Sequence, residues 1–254
     1  MNRIIFLGTG GARVLVFKQL LASGGLWIEM ADTCVHLDPG PGALVQATKR
    51  KLDPTKLDAV ILSHRHLDHC ADINVMIEAM TTGGFNRRGL VFAPRDAYDD
   101  DPVILRYLRG YPRQMHVIEE GGEYEVGNVR FRAPVRHDHP GETYGLVFES
   151  GGCRWSYIAD TRYFPELADH YRADVLIMHT VRLEESNIYH LSIPDAKRLI
   201  EAIRPQTAII THFGMTVWRA KPWLVAEKLS QETGVEVKAA RDGMKFELPG
   251  GEAG

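Results

Sequence analysis

Six residues constrain this chain more than any others: His64-Arg65-His66-Leu67-Asp68-His69. They set three imidazoles and one carboxylate directly after the apolar run Leu57-Asp58-Ala59-Val60-Ile61-Leu62-Ser63, which reads as a buried strand. Side chains alternate along an extended segment, so His64 and His66 project to the same side. Asp68 and His69 fall where the chain turns into a helical stretch. A dry core would leave these polar groups unpaired, so packing does not explain them. Neutral imidazole and carboxylate are ligands of zinc and its first-row neighbours. One short segment can offer two ligands to one metal and two to a second.

The rest of the chain reads as strands early and as alternating strands and helices late. Ile4 to Leu7 is a strand, and Gly8-Thr9-Gly10-Gly11 reads as a tight turn into another strand. Leu26–Glu29 and Cys34–Leu37 pair, and Asp38 ends the second, before a short helix from Ala43. Helices are expected over Ile73–Met80 and Pro102–Arg109. Further strands are expected at Leu90–Ala93, Val117-Ile118, Tyr124–Val126 and Val129–Ala133. A hairpin joins Tyr144–Glu149 to Arg154–Ile158 through Ser150-Gly151-Gly152. After the strands Val175–Met178 and Ala208–Ile210 come helices, one capped by Ser192 with Asp195, one closed by Gly234. This order fits two mixed sheets packed face to face with helices outside. A single domain over residues 1–254 is expected, its tail frayed from about 249.

Outside the hexapeptide, three polar residues stand at strand ends. His139 lies in Arg136-His137-Asp138-His139-Pro140-Gly141-Glu142-Thr143-Tyr144-Gly145, with His137 as its competitor. Asp160 follows Tyr157-Ile158-Ala159, and His212 follows Ile209-Ile210-Thr211. His-x-His-x-Asp-His after a strand, with these residues downstream, resembles the metallo-β-lactamase superfamily. The resemblance runs from the Asp38 turn to His212. It implies a four-layer αββα sandwich built from two similar halves, with a metal site along one edge. It also implies one metal held by His64, His66 and His139, and another by Asp68, His69 and His212. Asp160 would bridge the two, with Asp38 supporting the site from behind the ligands. Two divalent ions are implied, zinc first, with manganese or iron as alternatives.

The start Phe6-Leu7-Gly8-Thr9-Gly10-Gly11 and the spacing from His139 to Thr143 and Gly145 are similar to the tRNA 3′-processing and cyclic-phosphodiester branch. So is Tyr189-His190-Leu191-Ser192 before a helix, which makes His190 a candidate acid or phosphate contact. His179 ends a strand and is expected to be a hydrogen-bonded structural residue. Paired metals lower the pKa of a shared water, and Asp68 could orient the resulting bridging hydroxide. That chemistry suits a phosphodiester; it also suits a lactone, a thioester or a carboxylic ester. The endonucleases carry a long arm between the third ligand motif and the bridging Asp. Only a hairpin's worth of residues separates His139 from Asp160.

The formal net charge is −3, so no basic field recruits nucleic acid. Arginines between Arg87 and Arg136 alternate with acids such as Asp99, Asp101 and Glu119, as on a solvated surface. The expected substrate is therefore a small nucleotide-type phosphodiester, cyclic or linear, and folded RNA is not the expected partner. A tRNA 3′-endonuclease and a non-catalytic metal-binding protein rank lower. The di-iron flavoproteins of the superfamily carry a Glu where this chain has His66. Cys34, Cys70 and Cys153 suggest neither a disulfide framework nor an extra structural zinc site. No apolar run is long enough to span a bilayer, and the apolar N-terminus is short for a secretory signal. A cytoplasmic location is expected, and a homodimer is compatible with the sequence.

Overall fold

A computed structural model describes residues 2–99, 101–150 and 152–250. The first sheet takes β1 (Arg3–Phe6), β2 (Leu26–Met30), β3 (Thr33–Leu37), β4 (Ala59–Ile61), β5 (Leu90–Pro94) and β6 (Gln114–Ile118). The second takes β7 (Gly122–Val126), β8 (Val129–Ala133), β9 (Leu146–Ser150), β10 (Cys153–Ile158), β11 (Val175–His179), β12 (Thr207–Thr211) and β13 (Glu236–Ala239). The last strand, β14 (Lys245–Glu247), returns to the first sheet and pairs with β1. Each sheet has seven strands, in the orders β14-β1-β2-β3-β4-β5-β6 and β13-β12-β11-β10-β9-β8-β7. Each has antiparallel pairs on one side and parallel pairs on the other, the parallel strands being β3 to β6 and β10 to β13.

Alternation along the strands builds the layers. Ile4 and Phe6 face the second sheet, where they meet Phe131, Phe148 and Trp155. Ile5 and Leu7 face outward with Val60, Leu62 and Val91. That outer face is covered by α2 (Ala43–Lys49) and α4 (Ile73–Met80); α1 (Ala12–Phe17) and the short α3 (Leu67–Cys70) lie beside the site. The outer face of the second sheet, with Ile158, Leu176, Met178 and Ile210, is covered by α5 (Leu167–His170), α6 (Ile193–Ile203) and α8 (Pro222–Thr233), with α7 (Met215–Arg219) at its end. Near-continuous apolar runs such as Val175–Met178 are what strands buried on both faces require. The result is two mixed sheets packed face to face with helices outside, as the order of elements implies, and the αββα sandwich that the resemblance implies.

Several local expectations change. Gly8 to Gly11 leads into α1 and not into a strand, with Gly11 at its N-cap position. The glycines serve close backbone approach: a Cβ on Gly8 would run into the backbone of Ala22 and Gly24. Pro102–Arg109 is not a helix; a single 3₁₀ turn spans Arg106–Gly110. The Arg109 guanidinium donates to the Ile104 carbonyl, an acceptor that a continuous helix would use, and also to the Tyr98 carbonyl outside the segment. Gly151 of the expected hairpin turn and the tail 251–254 lie outside the described residues. Among the described residues no helix is long and apolar enough to cross a membrane.

His36 on β3 is fully buried, and its Nε2–H donates to the Gly24 carbonyl at 2.7 Å. Burial pushes its pKa down to about 4. The folded protein therefore holds His36 neutral where the unfolded chain, titrating near 6.5, takes up a proton. That contribution is present above about pH 6.5 and is lost as pH falls toward the folded value. Between pH 7 and pH 5 it amounts to roughly 2 kcal/mol. Urea unfolding at both pH values, with chelator present, should show His36→Gln losing less stability on acidification by about that amount; equal losses would refute the assignment.

Candidate metal centre

The C-terminal ends of the parallel strands of both sheets open on the same edge of the sandwich, where ligands of open α/β sheets gather. The first sheet delivers Asp38 after β3 and the hexapeptide after β4. The second delivers Asp160 after β10, His179 at the end of β11 and His212 after β12. His139 arrives on the loop between β8 and β9, and His190 on the loop before α6. That loop ends in a reciprocal cap: the Ser192 hydroxyl accepts from Asp195 N–H, and the Asp195 carboxylate accepts from Ser192 N–H.

All the expected side chains converge. His64 Nε2 and His139 Nε2 lie 3.1 and 3.0 Å from His66 Nδ1. A second group forms around Asp160, whose Oδ1 is 3.4 Å from His212 Nε2 and whose Oδ2 is 3.6 Å from His69 Nε2. Asp68 Oδ2 completes it, 3.5 Å from His212 Nε2 and 3.9 Å from His69 Nε2. Asp160 faces both groups, since its Oδ2 is also 3.8 Å from His64 Nε2 and 4.0 Å from His139 Nε2. His190 Nδ1 stands 3.4 Å from the same oxygen. His137 turns away: it is buried between the Asp160 carbonyl and the Tyr171 hydroxyl.

Hydrogen bonds behind these groups fix which ring nitrogen carries the proton. Ser63 Oγ donates to Asp38 Oδ2, so His64 Nδ1–H donates to Ser63 Oγ. His69 Nδ1–H donates to Asp38 Oδ2 at 3.0 Å, and His139 Nδ1–H donates to the Tyr189 carbonyl at 2.8 Å. The Nε2 lone pairs of His64, His69 and His139 therefore all point inward, the orientation that metal ligation needs. Lone pairs within about 3 Å of one another repel unless a cation or proton lies between them. His69 Nε2 and His212 Nε2 are buried without a hydrogen-bond partner among the described residues. These imidazoles and carboxylates fit divalent ions of the zinc type.

Electrostatics agree for His64 and His139 but not for His69: burial opposes its charge, yet the facing Asp68, Asp160 and Asp38 raise it well above the usual histidine range. Burial holds His64 well below the usual histidine range, and burial against like neighbours takes His139 down to about 4. Both are thus neutral, the form that binds metal. Burial alone would raise the Asp160 carboxyl, but the facing His212 and His190 hold it well below the usual carboxylate range. His190 is raised: burial opposes its charge, and Asp160 more than compensates.

Strain and close packing appear where the site needs them. Asp38 and His212 have φ of 55° and 58°, in the left-handed region. His212 is held there by Phe213 N–H donating to the Thr9 carbonyl and Gly11 N–H donating to the Phe213 carbonyl. A Cβ on Gly11 would run into the His212 ring, so the glycine makes room for it. Sequence reasoning missed Ser63 and Tyr157. Tyr157 OH lies 2.7 Å from Asp38 Oδ2 and 2.8 Å from His179 Nε2, and His179 Nδ1 lies 2.9 Å from Asp160 Oδ1. His179 is hydrogen-bonded at both nitrogens, as expected, but its partner is Asp160. The inward phase of Tyr157 on β10 was the only available signal.

Beside the cluster is a cavity of about 20 Å³ lined by Asp38, Asp68, His69 and Tyr157 among others, room for about one water. Larger open clefts, of about 380 and 500 Å³, lie along the outer strands β7 to β10. They are lined by cross-strand Glu and Arg such as Glu125, Arg130 and Glu149, a solvated surface without a convergent donor set.

The family described as beta-lactamase superfamily domain matches residues 33–213. An uncharacterized protein of Methanocaldococcus jannaschii is 32% identical over an alignment of 259 positions, covering 98% of this chain and 96% of that protein. A ribonuclease Z of Thermococcus sibiricus is 26% identical over 167 residues, 62% of this chain and about half (51%) of that protein. Among solved structures, the metallo-beta-lactamase fold protein YhfI of Bacillus subtilis superposes with a TM-score of 0.79 at 20% identity, covering 97% of this chain and 99% of that one.

Proposed function

Because this chain belongs to the beta-lactamase superfamily of metal-dependent hydrolases, we propose that it is a dinuclear phosphodiesterase acting on a small nucleotide-type phosphodiester, cyclic or linear. The observation that carries this reading is the pair of converging donor groups sharing Asp160, with His190 beside the shared carboxylate. His64, His66 and His139 would hold one divalent ion and Asp68, His69 and His212 the other, with Asp160 between them; zinc is the first choice. Such ions lower the pKa of water and offset charge building on phosphoryl oxygens. Asp68, with a side chain one-fifth exposed, accepts a proton from the attacking water. One P–O bond forms to that water, and the bond to the leaving oxygen breaks. His190, also one-fifth exposed, gives that oxygen its proton.

The likeness to a ribonuclease supports phosphodiester chemistry. The small substrate is supported by the hairpin β9–β10, which fills the interval where an RNA-binding arm would stand, and by the net charge. One feature favours an ester or thioester instead: Leu67, between His66 and Asp68, is 75% exposed and would suit an apolar acyl chain. Bis-p-nitrophenyl phosphate, a lactone and a thioester assayed side by side with zinc and with manganese decide the matter. Turnover of the phosphodiester is expected; turnover of the lactone or thioester alone would overturn the substrate class.

His190→Ala should keep the bound metals. An acid matters when an alkoxide leaves and little when p-nitrophenolate leaves. The variant should therefore slow on the order of 10²-fold with a nucleoside-leaving diester and much less with the p-nitrophenyl ester. Equal rates to the parent on both would remove His190 from the mechanism.

A further inference from the structure

The segment that fixes His139 and His190 also carries an aromatic ring that the hydrolytic chemistry does not use. Tyr189 gives its carbonyl to His139 Nδ1–H, yet its side chain is 39% exposed. The ring stands 6.4 Å from the His139 ring, nearly perpendicular to it. The guanidinium carbon of Arg162, two residues beyond Asp160, lies 3.8 Å from the Tyr189 ring centroid. Arg162 is itself held by Nη2 donating to the Asn187 carbonyl at 2.9 Å and by its backbone N–H donating to Asp138.

A tyrosine left exposed in water would normally sample several rotamers. Here a cation on the ring pins it, at little further entropic cost to a ligand. The backbone at Tyr189 is tied to the reaction centre, by its carbonyl on His139 and by the next residue, His190, beside Asp160. A fixed aromatic surface next to a phosphate-processing centre is what a nucleobase stacks on.

We propose that Tyr189, pinned by Arg162, is the nucleobase platform of this site, so that the phosphodiester it takes carries a nucleoside. The proposal rests on the phosphodiesterase reading but is tested by binding, so the two can fail separately. Calorimetry on the zinc-loaded protein compares adenosine 5′-monophosphate with inorganic phosphate. The nucleotide should bind more tightly. Tyr189→Leu should weaken it on the order of tenfold, leave phosphate within about twofold, and Tyr189→Phe should keep both. The leucine variant retains the backbone carbonyl that His139 needs. Equal affinity of the parent for the two probes, or a leucine variant that binds the nucleotide undiminished or loses both probes alike, would overturn the platform. The ester panel reports on the phosphodiesterase reading independently.

Discussion

Asp160→Ala should strip the protein of bound metal and of turnover together, with activity falling on the order of 10³-fold or more. The reason is the number of groups that one carboxylate serves. Its Oδ1 faces His212 at 3.4 Å and His179 at 2.9 Å; its Oδ2 faces His64, His69, His139 and His190 within 4.0 Å. Among the described residues it is the carboxylate that faces both donor groups. Alanine removes the anion that imidazoles of both donor groups face, and the buried lone pairs of the first group are left to repel one another. Asp160→Asn is the shape control, since it keeps the outline of the carboxylate without its charge. Elemental analysis after dialysis, read beside circular dichroism and ester turnover, is the measurement. A folded alanine variant with full metal content and full rate would show that Asp160 is not a ligand.

Asp38→Asn should have the next largest effect, and on two properties at once. Asp38 Oδ2 sits within hydrogen-bond reach of Ser63 Oγ, His69 Nδ1 and Tyr157 OH, and Oδ1 accepts from Ser63 N–H. Burial opposes its charge, but the bonded His69 and Ser63 hold the carboxyl below its usual range. Asparagine tolerates the left-handed backbone here, so the substitution isolates the charge. Whichever way the amide turns, an N–H faces a donor. The folded state should lose about 3 kcal/mol in urea unfolding of the metal-free protein. Zinc affinity, by chelator competition, should fall roughly 10- to 100-fold, because His69 loses the partner that orients it. Unchanged stability with affinity within twofold of the parent would remove Asp38 from the support of the site.

Much of this is legible in the sequence. Apolar runs bounded by glycine, such as those around Val175 and Ala208, allow few alternatives to buried strands, and the capping pair Ser192 and Asp195 announces a helix. The hexapeptide is legible because ligand spacing and strand period coincide. Spacing to Thr143 and Gly145 favours His139 over His137, but both flank the same turn, and it is three-dimensional reach that sets His139 beside His66 while His137 turns away. Tyr157 and Ser63 look like ordinary strand residues until Asp38 is seen between them. The edge strands Glu236–Ala239 and Lys245–Glu247 are short and half polar, so hydropathy passes over them. α1 hides for a different reason: no side chain caps it, and it starts from Ala12 at a φ of 56°.

The pairing of β1 with β14 bears on how the molecule is made. Ile4 lies opposite Phe246, and just before β14 the Asp242 carboxylate accepts from the Thr9 hydroxyl, in the glycine-rich loop beside His212, and from Ala22 N–H, beyond α1. Synthesis runs from the amino end, so β1 leaves the ribosome well before β14, and its sheet edge stays open until β14 follows. During translation that edge is open and the loop that buttresses His212 is unclamped. Closure of that edge, and clamping of the loop beside His212, is therefore a late step in folding that waits for β14.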